Sequence, residues 1–326
     1  IYNTDIIVFV IKITTKKKGG RLLILTYHYV RETGGQFPGI HPTSENELSS
    51  QLDKLKNKYH KATLGEASDF ILGKKPLERD SFLITFDDGL LDHYEFAQKV
   101  LTKHNIKAVF FIPTKPLIES MSPAVHKIHW LRANIQPDKF EVLLNRFLPD
   151  RWSNMELSEQ DKARSKAMHI HDNQKTQELK FFLNFVVPYD VIDKVLSRMI
   201  NELGMTESRF CQATFMNKKQ IQALASDGHL IGMHGHTHVP FSSFKNSQLE
   251  EDVSINQACL SEFLGEIPRW LSYPYGRDDA IPKDPSSLCR LYNIDAAFTL
   301  ISGMNYFGDE ASMLKRITPN ELSRFI

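Results

Sequence analysis

Two adjacent carboxylates, Asp87 and Asp88, follow an apolar run at residues 82–86 and precede Gly89. The apolar run predicts a buried strand, and the glycine predicts the turn at which the chain leaves it. Because side chains alternate along a strand, two aspartates at its end can do different work around one centre, one binding a metal and the other holding a proton. An isolated Asp-Asp-Gly is also a common solvated turn, so other parts of the chain must decide between the two interpretations.

Three histidines at alternate positions, His234, His236 and His238, follow a second apolar run at residues 229–233. Residues i and i+2 share a face of an extended chain, so all three could converge, or only two if the segment turns. Two imidazoles and one carboxylate form a common zinc site with an open position for water, and they also suit other divalent transition metals. Together with the aspartate pair, this pattern favours a metal centre over a histidine-rich loop without ligands.

Strand and helix patterns alternate along most of the chain, which predicts an α/β fold with a mostly parallel sheet. The predicted strands are residues 21–30, 82–86, 107–113, 229–233, 270–273, 296–300 and 314–317. In parallel α/β folds, functional sites collect at the carboxyl ends of strands. Those ends should bring to one face the aspartate pair, the three alternate histidines, His28 and residues 274–276.

The pattern changes between about residues 115 and 206, where charged, helix-forming stretches replace the strands. We interpret this stretch as a helical insertion that covers one edge of the sheet or barrel. It contains two histidine pairs, His126 with His129 and His169 with His171. Neither pair has a carboxylate or a third histidine placed to complete a site, so we expect both to serve at the surface or in packing.

Residues 1–20 precede the first strand–helix unit and are predicted to form an N-terminal extension, which leaves residues 21–326 as one domain. Residues 5–13 are mostly apolar, but a lysine interrupts them, and a bilayer core needs about 20 residues. We therefore expect no integral membrane span. An extra strand is the favoured interpretation, with a truncated membrane anchor as the alternative, and the order of apolar then basic residues is opposite to that of a signal peptide.

Composition narrows the possible partners. The 326 residues are 41% hydrophobic and 24% charged, as in ordinary soluble globular proteins. The formal net charge of +1 predicts neither nucleic acid nor an anionic membrane surface as a partner. The three cysteines, Cys211, Cys259 and Cys289, are scattered and odd in number, which argues against a disulfide framework or a thiolate zinc site.

Three motifs, taken in order, resemble those of the polysaccharide deacetylases of the NodB-homology type, carbohydrate esterase family 4. Residues 85–89, Thr-Phe-Asp-Asp-Gly, look like the first motif of that family. Residues 234–238 are similar to its His-(Ser/Thr)-x-x-His motif, with Gly235 in place of the hydroxyl residue, and residues 273–276, Tyr-Pro-Tyr-Gly, look like the third. The resemblance implies a distorted (β/α) barrel of about seven strands and removal of N-acetyl, less often O-acetyl, groups from sugars.

Carried over to the matching positions, the resemblance implies that Asp88, His234 and His238 hold a divalent metal. Zinc is the first expectation, with cobalt or nickel as alternatives. Asp87 would be the general base, and His236 would be a neighbour of the site and not a ligand. This assignment is chemically consistent, because a metal can polarise the acetyl carbonyl and acidify its water while a carboxylate takes the proton of that water.

The third motif supplies a further set of expectations. The backbone N–H of Tyr275 could complete an oxyanion hole, and its ring could wall the substrate pocket together with Pro274. This sequence differs from the family pattern at Ser272, a position where the family usually has an arginine that braces the catalytic aspartate. We expect Arg316, on the last predicted strand, to brace Asp87 instead.

The sequence also differs from the family pattern in the residue that would serve as the general acid. The family commonly has a histidine in a Leu-x-Ile-His motif near the C-terminus, but residues 314–318 read Leu-Lys-Arg-Ile-Thr. A subgroup that acts on exported poly-N-acetylglucosamine has a circularly permuted arrangement with a Tyr-His pair on an early strand. Residues 27 and 28 look like that pair, so we expect His28 to be the general acid.

The function favoured at this point is metal-dependent hydrolysis of N-acetyl groups on amino sugars, in a surface polysaccharide or its precursor. If the insertion closes the groove into a pocket, the alternative is a deacetylase of a small molecule or of peptidoglycan. A catalytically silent glycan-binding module and, more remotely, a metal-dependent hydrolase of cyclic amides are the other candidates. The resemblance implies work at the cell envelope or outside the cell, although no export signal is visible in the sequence.

Overall fold

The centre of the molecule is a curled, seven-stranded parallel sheet that forms a distorted (β/α) barrel. The computed structural model describes residues 19–32, 40, 42–153, 155–168 and 173–326. The strands are β1 (Leu22–Tyr27), β2 (His60–Lys61), β3 (Ser81–Phe86), β4 (Val109–Ile112), β5 (Leu230–Met233), β6 (Trp270–Ser272) and β7 (Ala296–Phe298). They follow the order β1-β3-β4-β5-β6-β7, with β2 paired to the start of β3. This architecture confirms the α/β barrel expected from the sequence.

The two longest strands, β1 and β3, lie side by side, and every residue of both is buried. Their nearly continuous apolar sequences suit a sheet that is covered on both faces. Tyr27 is paired with Phe86, so the two strands end at the same level. The residues that follow them, His28 and Asp87, therefore start from the same edge of the barrel.

Residues 314–317 connect the two ends of this sheet. Leu314 N donates to Ala297 O at 2.9 Å, and Ile317 N donates to Ile24 O at 2.9 Å. These contacts are isolated bridges to two different strands, because the pairing passes from β7 to β1 within four residues. The expectation of a regular last strand at 314–317 is therefore wrong. The segment nevertheless carries the side chain of Arg316 into the interior, where it is fully buried.

Helices surround the sheet. They are α1 (Glu45–Lys58), α2 (Leu64–Ile71), α3 (Gln98–Lys103), α4 (Lys115–Ile118), α5 (Ala124–Asn134), α6 (Pro137–Phe147), α7 (Asp150–Ser153), α8 (Glu159–Met168), α9 (Gln174–Phe181), α10 (Tyr189–Glu202), α11 (Glu207–Thr214), α12 (Lys218–Ser226), α13 (Asn246–Leu264) and α14 (Pro285–Leu291). Capping boxes begin α1 at Ser44 and α12 at Asn217. Within the described ranges, no helix has the length and apolar character needed to cross a lipid bilayer.

Two π-helical turns lie at helix ends within the described residues. One, His93–Ala97, directly precedes α3. The other, Phe182–Val186, follows α9. Single π-helical turns are frequent at functional sites. The predicted N-terminal strand at residues 5–13 and the histidine pair at 169 and 171 lie outside the described residues.

The helices α4–α11 lie between β4 and β5 in the chain and form a layer with an apolar core of its own. Its buried members include Leu131, Phe140, Leu144, Leu196 and Phe210. The layer spans residues 115–214 and so extends, by α11, past the stretch of about 115–206 predicted to be a helical insertion. The same core also includes Tyr29 and Leu90, which follow β1 and β3, so it packs the layer against the barrel.

A buried ion-pair network ties these helices together. Lys127 Nζ lies 2.5 Å from Asp193 Oδ1 and 2.6 Å from Glu207 Oε1. Lys115, the first residue of α4 and three residues past the end of β4, reaches the other oxygen of Asp193 at 3.1 Å. The network therefore links α5, α10 and α11 to the end of a barrel strand.

Candidate active site

Asp87, the first residue after β3, lies in a buried hydrogen-bond network. Arg316 donates to both carboxylate oxygens, from Nη1 to Oδ1 at 2.8 Å and from Nη2 to Oδ2 at 2.7 Å. Ser272, the last residue of β6, donates from Oγ to Asp87 Oδ2 at 3.1 Å and accepts from Arg316 Nη2 at 2.8 Å. The hydroxyls of Thr26 and Thr85 accept from Arg316 Nη1 at 3.1 and 3.2 Å. The structure thus places Arg316 against Asp87, with Ser272 between the two.

The pKa of Asp87 is held below the ordinary value of an aspartate. Burial by itself raises this pKa, but the positive charge of Arg316, with smaller contributions from His234 and His28, outweighs burial and lowers it to about 2. The carboxylate is therefore ionised at neutral pH, as a proton acceptor must be. The two parallel hydrogen bonds from the guanidinium group also fix its orientation.

A second buried cluster lies beside it and consists of Asp88, His234 and His238. One ligand atom from each lies within 4.8 Å of the others. The Nε2 atoms of His234 and His238 lie 3.2 and 3.0 Å from Asp88 Oδ1. Burial raises the pKa of Asp88, but the nearby histidines, His238 first, lower it well below the usual value. The carboxylate is therefore charged.

The donor atoms of this cluster fit a divalent metal ion. His234 Nδ1 lies 2.8 Å from the carbonyl oxygen of Ser272, which can only accept, so Nδ1 carries the ring proton and Nε2 presents its lone pair to Asp88. Asp88 Oδ1 is buried and has no hydrogen-bond partner within the described part of the chain. A nitrogen lone pair and a carboxylate oxygen repel each other unless a positive charge lies between them. Two imidazoles and a carboxylate are a ligand set of zinc enzymes.

The space between these residues attracts positive charge. Burial lowers the pKa of His234, but the charges of Asp87 and Asp88 outweigh burial and raise it. Burial lowers the pKa of His238 and remains the dominant influence on it, which favours the neutral ring. A neutral imidazole is the form that binds a metal.

Three residues at this edge have left-handed backbone angles, with φ of 78° at Asp88, 59° at His238 and 63° at Tyr275. Residues other than glycine adopt this conformation at a cost of about 1–3 kcal/mol, and only where the surrounding structure enforces it. Such residues cluster at active sites. Here they lie in the loops that follow β3, β5 and β6, and their turns set the directions of the three side chains.

His236 points away from the cluster of Asp88, His234 and His238. Its Nδ1 lies 3.0 Å from Thr114 Oγ1, and its Nε2 lies 2.7 Å from Glu119 Oε1. The preceding Gly235 has φ of 69°, and a Cβ there would lie 2.8 Å from Asp252 Oδ1. The turn at this glycine therefore directs two of the three alternate histidines to Asp88 and sends the middle one elsewhere.

His28 follows β1 at the same edge of the barrel as Asp87. Its backbone oxygen accepts a hydrogen bond from His93 Nε2 at 2.8 Å, and the side chain is partly exposed. His28 is also one of the groups that lower the pKa of Asp87. A partly exposed ring at this edge is accessible to a ligand.

His126 is a site neighbour that the sequence argument missed. Its side chain is 1% exposed, and its Nε2 lies 3.5 Å from Asp88 Oδ2. The expectation that no carboxylate is placed near this histidine is therefore wrong. The aspartate is supplied by β3, and only the docking of α5 onto the barrel brings the two together. The His-x-x-His spacing on α5 was the available signal, but it does not identify the partner.

A cavity of about 730 Å³ opens beside His238 and Tyr275. Its opposite wall comes from the helical layer, around the second π-helical turn. Tyr275 donates from its hydroxyl to Asn184 Oδ1 at 3.2 Å, and its ring contacts that of Phe185 at a centroid distance of 5.4 Å. Pro274 is buried and is not among the residues that line this cavity. The cavity has the size of a small-molecule or oligosaccharide site.

The family model for polysaccharide deacetylases matches residues 74–137 and 174–302, which is more than half of the chain. No curated protein sequence matches this chain.

Several solved structures share the fold over nearly the whole chain. IcaB from Ammonifex degensii is 19% identical, with a TM-score of 0.56, and the match covers 94% of this chain and 96% of that one. The Streptococcus pyogenes deacetylase PplD, in complex with acetate, is 14% identical, with a TM-score of 0.57 and coverage of 94% and 98%. A de-N-acetylase from Aggregatibacter actinomycetemcomitans is 16% identical, with a TM-score of 0.53 and coverage of 94% and 100%. At these identities the likeness establishes the fold.

Proposed function

This chain belongs to the polysaccharide deacetylase family and is a hydrolase, and we propose that its substrate is an acetylated glycan. In this proposal it removes N-acetyl groups from amino sugars of a surface polysaccharide or its precursor. The observation that carries the proposal is the meeting of two buried groups at one edge of the barrel. One is Asp87 with its guanidinium partner, and the other is the donor cluster of Asp88, His234 and His238. A catalytically silent glycan-binding module has no need to keep either group.

The proposed cofactor is a divalent metal, most simply zinc, held by Asp88, His234 and His238. Cobalt and nickel suit the same donors. When bound, the metal supplies a Lewis acid that polarises the acetyl carbonyl and acidifies the attacking water. The carbonyl oxygen of Ser272 holds the ring of His234 in the tautomer that such a site requires.

Asp87 is the proposed general base. It takes one proton from the attacking water, whose oxygen forms a bond to the acetyl carbon. The hydrogen bonds from Arg316 and Ser272 keep the carboxylate in one orientation throughout. Because Arg316 compensates the negative charge, the carboxylate stays ionised in a buried place where it would otherwise be protonated.

Two further residues have proposed roles after the water attacks the acetyl carbon. The backbone N–H of Tyr275 is the proposed donor to the negative oxygen that develops on the acetyl carbon. His28 is the proposed general acid, which gives its proton to the sugar nitrogen as the carbon–nitrogen bond breaks. The products are acetate and a free amine.

The proposed substrate is an acetylated glycan. One of the proteins with this fold is named a de-N-acetylase, which supports an amide over an ester as the bond that is cut. The Tyr-His pair at residues 27 and 28 supports the subgroup that acts on poly-N-acetylglucosamine. A place at the cell envelope or outside the cell follows from such a substrate and belongs to the same proposal.

A second candidate function is favoured by the cavity beside Tyr275. The helical layer supplies its opposite wall through Asn184 and Phe185, so the groove is narrowed on one side. Such a wall favours a chain end, a short oligosaccharide or a small acetylated amino sugar over the interior of a long polymer. The chemistry at Asp87 is the same in both cases.

The experiment that tests the proposal is a screen for acetate release by the purified protein. The protein is first treated with a chelator and then assayed with and without added zinc or cobalt. The substrates are N-acetylglucosamine, chitooligosaccharides of increasing length, poly-N-acetylglucosamine oligomers and an O-acetylated xylan. We expect metal-dependent release from N-acetylated glycans, and the length dependence distinguishes the two candidates. Release from no N-acetylated glycan, or release that ignores the metal, would refute the proposal.

A further inference from the structure

His126 reaches the metal cluster from α5, which lies outside the three sequence motifs. Its Nε2 lies 3.5 Å from Asp88 Oδ2, is buried, and has no hydrogen-bond partner within the ranges that the structure describes. A buried polar atom without a partner costs about 1–3 kcal/mol, so it persists where something compensates for the cost. The acceptor placed to compensate it is the second oxygen of Asp88.

The opposite nitrogen of this ring is fixed by Tyr29. The phenol oxygen lies 2.6 Å from His126 Nδ1. Burial raises the pKa of Tyr29 well above its ordinary value, so the phenol keeps its proton and can donate it to Nδ1. In the neutral ring the remaining proton is then on Nε2, directed at Asp88.

The two oxygens of Asp88 face different partners. Oδ1 faces the Nε2 atoms of His234 and His238, at 3.2 and 3.0 Å, whereas Oδ2 faces His126. His126 is not a member of the cluster of mutually close donor atoms. Its ring centroid lies 6.4 Å from that of His238, compared with 4.8 Å between His234 and His238. His126 is therefore placed to act through Asp88 and not as a further ligand.

We propose that His126 is a positioning residue, which donates a hydrogen bond from Nε2 to Asp88 Oδ2 and so fixes which oxygen of Asp88 points toward the metal ion. The inference rests on the proposed metal site. Shortening the contact to about 2.8 Å, the usual length of a charge-assisted hydrogen bond, needs only a small shift of either side chain. Partners that orient metal ligands in this way typically contribute about 10–100-fold to metal affinity.

This role makes the helical layer part of the metal site. Tyr29 follows β1, His126 lies on α5 and Asp88 follows β3, so the chain of contacts runs from one barrel strand through the layer to another. The packing of α5 against the barrel then affects how tightly the metal is held.

The test measures zinc affinity by competition with a chromophoric chelator, using the metal-free protein and three variants. His126→Phe removes both ring nitrogens, and we expect zinc to bind about 10–100-fold more weakly. His126→Gln carries an amide nitrogen near the position of Nε2, so we expect it to retain most of the affinity. His129→Phe is the matched control, because His129 lies one turn further along α5 and 3.5 Å from the same phenol. We expect its zinc affinity to equal that of the wild type.

A second readout is the visible absorption spectrum of the cobalt-loaded proteins, which reports coordination number. We expect His126→Gln to keep the wild-type spectrum. Wild-type zinc affinity in His126→Phe would overturn the inference, and so would a Gln variant as weak as the Phe variant with altered cobalt bands, since that result indicates a direct ligand. Zinc binding by the wild type without acetate release would instead refute the proposed function and leave this inference standing.

Discussion

Arg316 and Asp87 are separated by 229 positions in the chain, yet both oxygens of the carboxylate accept hydrogen bonds from one guanidinium group inside the barrel. The two side chains are 0% and 2% exposed. A buried charge pair of this kind is specific in geometry, and the removal of either member leaves the other charge uncompensated. Arg316 therefore holds Asp87 ionised and, together with Ser272, fixes its orientation.

The first prediction concerns Arg316. In Arg316→Lys the positive charge remains but the two parallel hydrogen bonds are lost, so the carboxylate is free to rotate. We expect kcat to fall by up to about 100-fold, the usual effect of misplacing a catalytic group by about 1 Å. Steady-state acetate release measures it, with Arg269→Lys, a change in an exposed pair with Asp295, as the matched control.

The pH profile of the same variants separates a brace from a merely structural arginine. Arg316 lowers the pKa of Asp87, so its loss raises this pKa and moves the acid limb of kcat/KM to higher pH. The shift should be larger in Arg316→Ala than in Arg316→Lys. An alanine variant that is folded and keeps both wild-type turnover and the wild-type profile would show that Asp87 needs no brace.

The second prediction is that only two of the three alternate histidines bind metal. Zinc should raise the Tm of the wild type, because a ligand at 100 times its Kd stabilises the fold by about 2.7 kcal/mol. In His238→Ala this increase should disappear. In His236→Ala it should remain, since that ring faces Thr114 and Glu119. Thermal unfolding of the chelator-treated proteins, with and without zinc, decides the point. Loss of the increase in both variants would contradict the assignment.

The third prediction concerns the proton that His28 supplies. His28→Ala should lower kcat on an N-acetylated oligosaccharide by about 100-fold or more, as expected for loss of general acid catalysis. On 4-nitrophenyl acetate, whose leaving group departs without a proton, the same variant should retain most of its activity. Equal losses on both substrates would indicate that His28 acts in some other way.

The fourth prediction concerns the ion-pair network of the helical layer. In Lys127→Met, Glu207 loses its cation inside the helical layer. We expect the free energy of unfolding to fall by about 3 kcal/mol. This value is at the lower end of the range for a broken buried ion pair, because Lys115 still pairs with Asp193. Lys175→Met is the control, since this lysine is 74% exposed and pairs with Glu141 at the surface. It should leave stability unchanged. Urea unfolding of both variants measures the difference, and equal stability would contradict a structural role for the network.

The fold could be predicted because most of its strands are short apolar runs that alternate with helical patterns along the chain. The sheet was therefore readable at β1 and β3, where every residue is buried. The closing segment at 314–317 was misjudged as a regular strand. An apolar pattern reports burial, but it does not report that one end pairs with β7 and the other with β1.

Some residues of the site could be predicted from the sequence and others could not. Asp88, His234 and His238 follow strand ends, and parallel strands deliver their ends to one edge, so sequence alone could group them. His126 could not be grouped with them, because its place depends on how α5 packs on the barrel. Asn184 and Phe185 were missed for the same reason. Side-chain packing between layers leaves no periodic trace in the sequence.

The role of Asp87 is tested most directly by the turnover of Asp87→Asn, measured as acetate released from an N-acetylglucosamine oligomer at saturating zinc. The amide is nearly isosteric with the carboxylate and can still meet Arg316, but it cannot take a proton from water. We expect zinc to bind as in the wild type while acetate release falls by about 100-fold or more. Wild-type turnover in this variant would contradict the central claim that Asp87 is the base.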